Sequence, residues 1–415
     1  MITTFPFRPG RWLALAGCLL PWLAQAGLPI PLQPLLDNPP PSGVVRLAPG
    51  VYAGPATLRM PLVVDGGGVA ELLGDRNGTV LRVEARGATV RGLRIRGSGD
   101  SHDRIDAGIA VEGDGNVIEG NDLDDVLFGI VLHNGQHNVL RDNTVRSRGV
   151  DTADRGDGIR LWNAAHNLIE GNDIAHVRDL TISNSPYNRF VRNRIRDSRR
   201  AMNFLFSHRS RVEENTFEGN DAGIVVINSS GFLIRRNQVM HSMSSAGACI
   251  ALKETTAALV EENEIVHCAT GIMADSPSNP VSQIFIHRNR VAHNIVGVHF
   301  YGERGGRIVM NNRFEHNLWQ VTTTAGGNPE LESWHGNLWD DYQGFDLDQD
   351  GVGDRPYELL AYADRIWMQA PETRFFRNSP FMELVDFLER LAPFAYPALV
   401  LRDEAPRMSV AAPRR

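Results

Sequence analysis

Five histidines stand four residues after a recurring asparagine: His176, and then His241, His267, His293 and His316 on four successive repeats. Stacking of those repeats would set the last four imidazoles in one column. Met240, Met243, Cys268 and Met273 fall in or beside that column. Thioether, thiolate and imidazole are soft ligands whose combination suits Cu(I). Met240, His241, Met243 and His267 are the best-placed set. The same spacing also describes an outward polar ladder at a turn, where His, Asn and Asp interchange. Asp125 and Asp197 occupy the position in other repeats. Spacing alone leaves both readings open.

A second candidate is Asp346-Leu-Asp348-Gln-Asp350-Gly351-Val-Gly-Asp354. Acids at positions 1, 3 and 5 with glycine at 6 let a tight loop aim several oxygens at one Ca²⁺. Tyr357 stands where a bidentate glutamate would complete the set, and no helix precedes the loop. The expectation is a structural hard cation held by Asp346, Asp348, Asp350 and Asp354. The alternative is an acidic turn whose side chains satisfy local backbone N–H groups. Tyr301, His299 and Arg304 cluster near one repeat and could serve lyase or epimerase chemistry, or simply decorate a strand end. Gly-x-Ser-x-Gly, His-Glu-x-x-His and the phosphate loop are all missing from the chain.

What must position these residues is a repeat. The phrase Asn-x-Ile-x-x-Asn-x-Ile occurs as Asn116-Val-Ile-Glu-Gly-Asn121-Asp-Leu, Asn138-Val-Leu-Arg-Asp-Asn143-Thr-Val and Asn167-Leu-Ile-Glu-Gly-Asn172-Asp-Ile. Its second asparagine continues through Asn193, Asn215, Asn237, Asn263, Asn289 and Asn312. Between these fall Gly108-Ile, Gly129-Ile, Gly158-Ile, Gly223-Ile, Gly271-Ile and Gly297-Val. Each phrase is a short strand with alternating apolar positions. One coil of about 22 residues encloses no core alone, whereas stacked coils join strand to strand at about 4.8 Å. The asparagines then find partners one coil away, as in other amide ladders. The spacing predicts an all-β, right-handed parallel β-helix of about ten coils. Leucine-rich repeats and propeller blades have other periods.

Composition agrees: aromatics are only 7% beside 40 glycines, which favours short, tightly turned strands over a thick aromatic core. Residues 1–26 read as a secretory signal, with Arg8 and Arg11, an apolar run from Trp12 to Leu23, and cleavage after Ala26. Leu15-Ala16-Gly17-Cys18 also resembles an acylation site, but too few apolar residues precede it. Removal of the signal should leave an exported, periplasmic chain. Net charge is −7, and loss of two arginines makes it more negative, which argues against nucleic acid as a partner. Cys249 and Cys268 then remain. An oxidising compartment permits a disulfide, but the register sets them about three residues out of line on adjacent coils, so two free thiols are expected.

The remaining divisions expected are a first cap at 27–60, the helix at 61–325 and an extension at 326–415. In the extension, Ser379-Pro380 opens an amphipathic helix with Phe381, Leu384, Val385, Leu388 and Leu391 on one face. That face could cap the last coil or dock on a partner.

The ladder phrases place the chain beside the carbohydrate-binding and sugar-hydrolase group of β-helices. More specific are Leu47-Ala-Pro-Gly-Val-Tyr52, Asn337-Leu-Trp-Asp-Asp-Tyr342, Gly344 to Tyr357, and the tail Ser379 to Pro393. With these the chain resembles the NosD family, β-helix components of the transporter that matures nitrous oxide reductase. The resemblance implies a non-enzymatic role beside an ABC-type permease and its cytoplasmic ATPase. It further implies copper received from a membrane-anchored chaperone and passed to apo nitrous oxide reductase, with the C-terminal helix docking on the permease. No family motif fixes the copper ligands. The competing reading is a periplasmic polysaccharide lyase or epimerase with arginines holding an acidic glycan.

Overall fold

The computed structural model describes residues 28–408, apart from 150, 246, 278, 280, 303, 304, 325–331, 362–378 and most positions of 381–397. The chain winds into a right-handed parallel β-helix of about 13 turns. One wall is a 12-stranded sheet; the other two belong to a 27-stranded sheet that bends at a corner in every coil. There are more turns than the ten expected because the first coils lack the asparagine phrase. Val45, Val64 and Val90 stack in register above Ile118 without it.

Aliphatic columns fill the interior. Ile118, Leu140, Ile169, Phe190, Val212, Ile234, Val260, Ile286 and Val309 each oppose the next and are fully buried. Alternation of inward and outward side chains along each three-residue strand explains this register.

At the bend the residue before the ladder asparagine is left-handed, as at Arg236 (φ 53°) and Glu262 (φ 55°). The asparagine turns inward. Asn237 Oδ1 accepts from Asn215 N and Nδ2 at 3.0 and 2.9 Å, and its own Nδ2 donates to Val212 O and Asn263 Oδ1 at 2.8 and 3.0 Å. The column runs from Asn121 through Asn312 as expected and one coil further, to Asn337. It ends on Asp403, whose buried carboxylate accepts from Gly336 N, Asn337 N, Asn337 Nδ2 and Trp339 Nε1.

The glycine phrase has a steric cause. A Cβ on Gly129 would lie 2.2 Å from Gly158 O, and one on Gly223 would lie 2.2 Å from Cys249 O, both on the next coil. Only glycine permits that approach.

Cys249 and Cys268 form a disulfide with Cα atoms 6.0 Å apart, which overturns the expectation of two free thiols. The register offset was counted correctly, since Ile250 pairs with Ile272. But Cys268 lies on the corner after Glu264–Val266, where the chain turns back toward Cys249. Both side chains are fully buried. A count along straight strands misses the shortcut across a bend.

The ends are covered differently. A short helix, Gln33–Asp37, buries Leu36 against the first coil, with Leu32 just before it. At the other end Tyr357–Ala361 pairs antiparallel with Ala398–Asp403, which meets the last coil at Trp334. Such coverage protects open strand edges. Of the helix expected from Ser379-Pro380, the described residues Pro380, Leu384, Phe387, Leu388 and Leu391 are helical. Phe381 and Val385 lie outside the described residues, whereas Leu384, Leu388 and Leu391 are exposed at 53, 42 and 67%.

Candidate functional site

The four histidines do form a column. Ring centroids of His241 and His267 are 5.2 Å apart, those of His267 and His293 5.4 Å, and those of His293 and His316 5.1 Å. All four sit at left-handed corner positions, with φ between 53° and 61°. Asp125, His176, Asp197 and Gly219 share that conformation higher up. Asn, Asp, His and Gly tolerate it best, so the corner explains why histidine is permitted. It does not require four in succession. Asp197 and Gly219 separate His176 from the column.

The rings project into solvent, and His316 keeps 68% of its side-chain exposure. Met240 ends the strand Gln238–Met240, half-buried and facing outward, and Met243 lies 54% exposed in the loop just after His241. These thioethers flank the His241 end. Cys268 points into the core and is bonded to Cys249, so it offers no ligand. Met273 lies on the 12-stranded wall, opposite Ala251 and His299.

At the other end the column meets a carboxylate that the spacing did not reveal. Asp340 Oδ2 lies 2.6 Å from His316 Nδ1, and Asp340 Oδ1 accepts from Gln320 Nε2 at 2.6 Å. An imidazole bound at Nδ1 by a carboxylate is oriented, with Nε2 left for a further partner. Counting four residues past Asn337 lands on Asp341, one position away, which is why the signal was missed. Asp341 instead accepts from Tyr357 Oη at 3.1 Å, and burial pushes its carboxyl up.

Asp346, Asp348 and Asp350 are brought together, with one ligand oxygen from each within 4.8 Å of the others. Asp354 Oδ2 accepts from Leu347 N at 2.7 Å, outside that group. The cluster also closes its own turn: Asp346 accepts from Asp350 N and Gly351 N, and Asp350 Oδ1 accepts from Val352 N. Of the lyase-type trio, His299 Nδ1 meets Thr322 Oγ1 at 2.8 Å and Tyr301 Oη reaches Leu252 O at 3.4 Å. Arg304 lies outside the described residues. Burial pushes the Tyr301 phenol up to about 12, the wrong direction for a base near neutral pH.

A family model described as "Periplasmic copper-binding protein (NosD)" matches residues 143–344, a span that holds the whole histidine column and Asp340. The chain is 30% identical over 385 residues to a "Probable ABC transporter binding protein NosD" of Pseudomonas aeruginosa, covering 89% of each. It is 31% identical over 109 residues to the protein of that description from Stutzerimonas stutzeri, 26% of this chain and 25% of that one. Among solved structures it is similar to the mannuronan C-5 epimerase A-module of Azotobacter vinelandii, with a TM-score of 0.47, 15% identity and coverage of 74% and 84%. An alginate lyase from Paenibacillus gives a TM-score of 0.38, 16% identity and coverage of 72% and 95%. At that distance neither enzyme's chemistry carries over to this chain. The extended identity to the Pseudomonas aeruginosa protein does carry weight, and the chain belongs to the NosD family.

Proposed function

We propose that this chain is a periplasmic, non-enzymatic carrier that receives Cu(I) on its histidine column and releases it for assembly of a copper enzyme. One observation carries the reading: four exposed imidazoles in a column on consecutive coils, their ring centroids 5.1–5.4 Å apart. Neighbouring rings can share one soft ion, and Met240 and Met243 add thioether donors at the His241 end. Met240, His241, Met243 and His267 form the loading site.

The family description and the relatives' description as transporter binding proteins support a place beside an ABC-type permease with a cytoplasmic ATPase. In this reading a membrane-anchored copper chaperone supplies the ion and apo nitrous oxide reductase takes it. Leu384, Leu388 and Leu391, with Phe381 and Val385, supply the permease-docking face. The Asp346 loop has a structural role, its three clustered carboxylates holding a hard cation such as Ca²⁺.

The test is a competitive Cu(I) titration of the wild type and of a variant carrying Met240→Ala, His241→Ala, Met243→Ala and His267→Ala together. The affinity of the variant should fall by a hundredfold or more, on the scale of about 1.4 kcal/mol per decade. An unchanged affinity would reject the site. Capture of a permease and ATPase from membranes by the tagged chain tests the partnership separately.

A further inference from the structure

Far from the histidine column, the outer face of the 12-stranded wall carries a cleft of about 390 Å³. Arg82, Ala110, Val131 and Arg160 are successive outward positions on four neighbouring strands. Ala110 and Val131, each 8% exposed, make an apolar floor between two guanidiniums. Arg104 reaches the cleft from the loop before Ala107–Val111, held by Asp106 at 3.1 Å. Trp162, 38% exposed, lines the cleft next to His133 on the adjacent strand.

More arginines than acids line the cleft, and each arginine is held by a carboxylate. Three arginines line the cleft and one acid, Glu112, does so beside Arg82 at 3.2 Å, in a chain whose net charge is −7. Arg160 is paired from behind by buried Asp157 at 3.3 Å, which Arg178 shares at the same distance. Its Nε is buried with no hydrogen-bond partner.

We infer that this cleft binds a small organic anion, a carboxylate on a six-membered ring, with the acid group among Arg82, Arg104 and Arg160 and one face of the ring against Trp162 over Ala110 and Val131. Planar guanidiniums match a carboxylate in two-point geometry. The volume falls at the low end of small-molecule sites, which combine an apolar lining with a few convergent polar groups. It suits one or two rings. A sugar acid and an aromatic acid share this chemistry.

The experiment is calorimetric titration of the full mature chain with galacturonate, benzoate and inorganic phosphate, with Trp162 fluorescence as a second readout. One of the two ring carboxylates should bind with a dissociation constant tighter than about 1 mM, and which one binds identifies the source. Arg160→Gln should weaken it tenfold or more. Arg82→Gln, at a half-exposed position, should weaken it as well. The variant lacking Met240, His241, Met243 and His267 should bind the same probe unchanged, so the cleft stands or falls apart from copper. Binding of phosphate as tightly as the ring acids would overturn the inference. So would no binding by any probe, or binding that both arginine variants retain.

Discussion

Asp157 is a carboxylate with no exposed side-chain surface, set between Arg160 and Arg178 and close to Asp179. Burial is the largest influence on it and pushes its pKa above 3.8 despite the two guanidiniums. The sign follows from linkage. Between the unfolded value and the raised folded value the native state holds more protons than the unfolded state, so this group's contribution to stability falls as pH rises through that window. Asp157→Asn keeps the shape and removes the titration. The stability of wild type minus that of the variant should therefore decline from pH 3.8 upward and then level off, read from denaturant melts across pH. A difference that grows with pH would mean that the arginines win over burial. Nothing in the sequence distinguishes Asp157 from nearby Asp151 and Asp154, because burial is decided by the coil above. The histidines were legible because a corner repeats at a fixed offset from each asparagine.

At the scale of the strand and its corner, hydrogen bonding sets the energetics. Asn237→Ala would take the acceptor from Asn215 N and Nδ2 and a donor from Val212 O inside the molecule. With about 1–3 kcal/mol for each unsatisfied group, the loss should be about 2–4 kcal/mol. Surface Gln238→Ala, one residue on, should cost less than about 0.5 kcal/mol. Thermal melts of the two variants check the contrast, and equal effects would deny the ladder its role. The Cys249–Cys268 bond closes a segment of sequence separation 19 that includes His267. Cys249→Ser with Cys268→Ser should lower stability by about 2–4 kcal/mol. Mass spectrometry of the alkylated, unreduced chain should find no free thiol at either position. The ladder and the glycine phrase could be read from the sequence because both answer to contacts one period away. The disulfide could not, since its geometry depends on how sharply the chain bends between walls.

For the whole molecule, the repeat announced itself in the middle and fell silent at both ends. The coils around Val45, Val64 and Val90 are built from the same aliphatic stacking but carry no asparagine at the bend. The last coil puts Trp334 beneath Val309 and Trp339 beneath Phe314. Caps are one-off constructions, so periodicity cannot find them. Asp403 shows this best, being 66 residues from the asparagine it completes. Asp403→Ala should loosen the hairpin of Tyr357–Ala361 and Ala398–Asp403 before the central coils, seen as early proteolytic cleavage near the C-terminal end with the middle still protected from hydrogen exchange.

The amide column also has a direction. Along the ladder each Oδ1 accepts from the coil on its N-terminal side, and each Nδ2 gives one of its two hydrogens to the ladder residue on the C-terminal side, from Asn121 to Asn337. Aligned amides sum to a dipole, as peptide units do in a helix, and hydrogen bonds in series polarise one another. Its positive pole falls at the C-terminal end, where Asp403 brings a negative charge. The solenoid is thus an electrically polarised rod, with its counter-charge supplied by the strand that closes it.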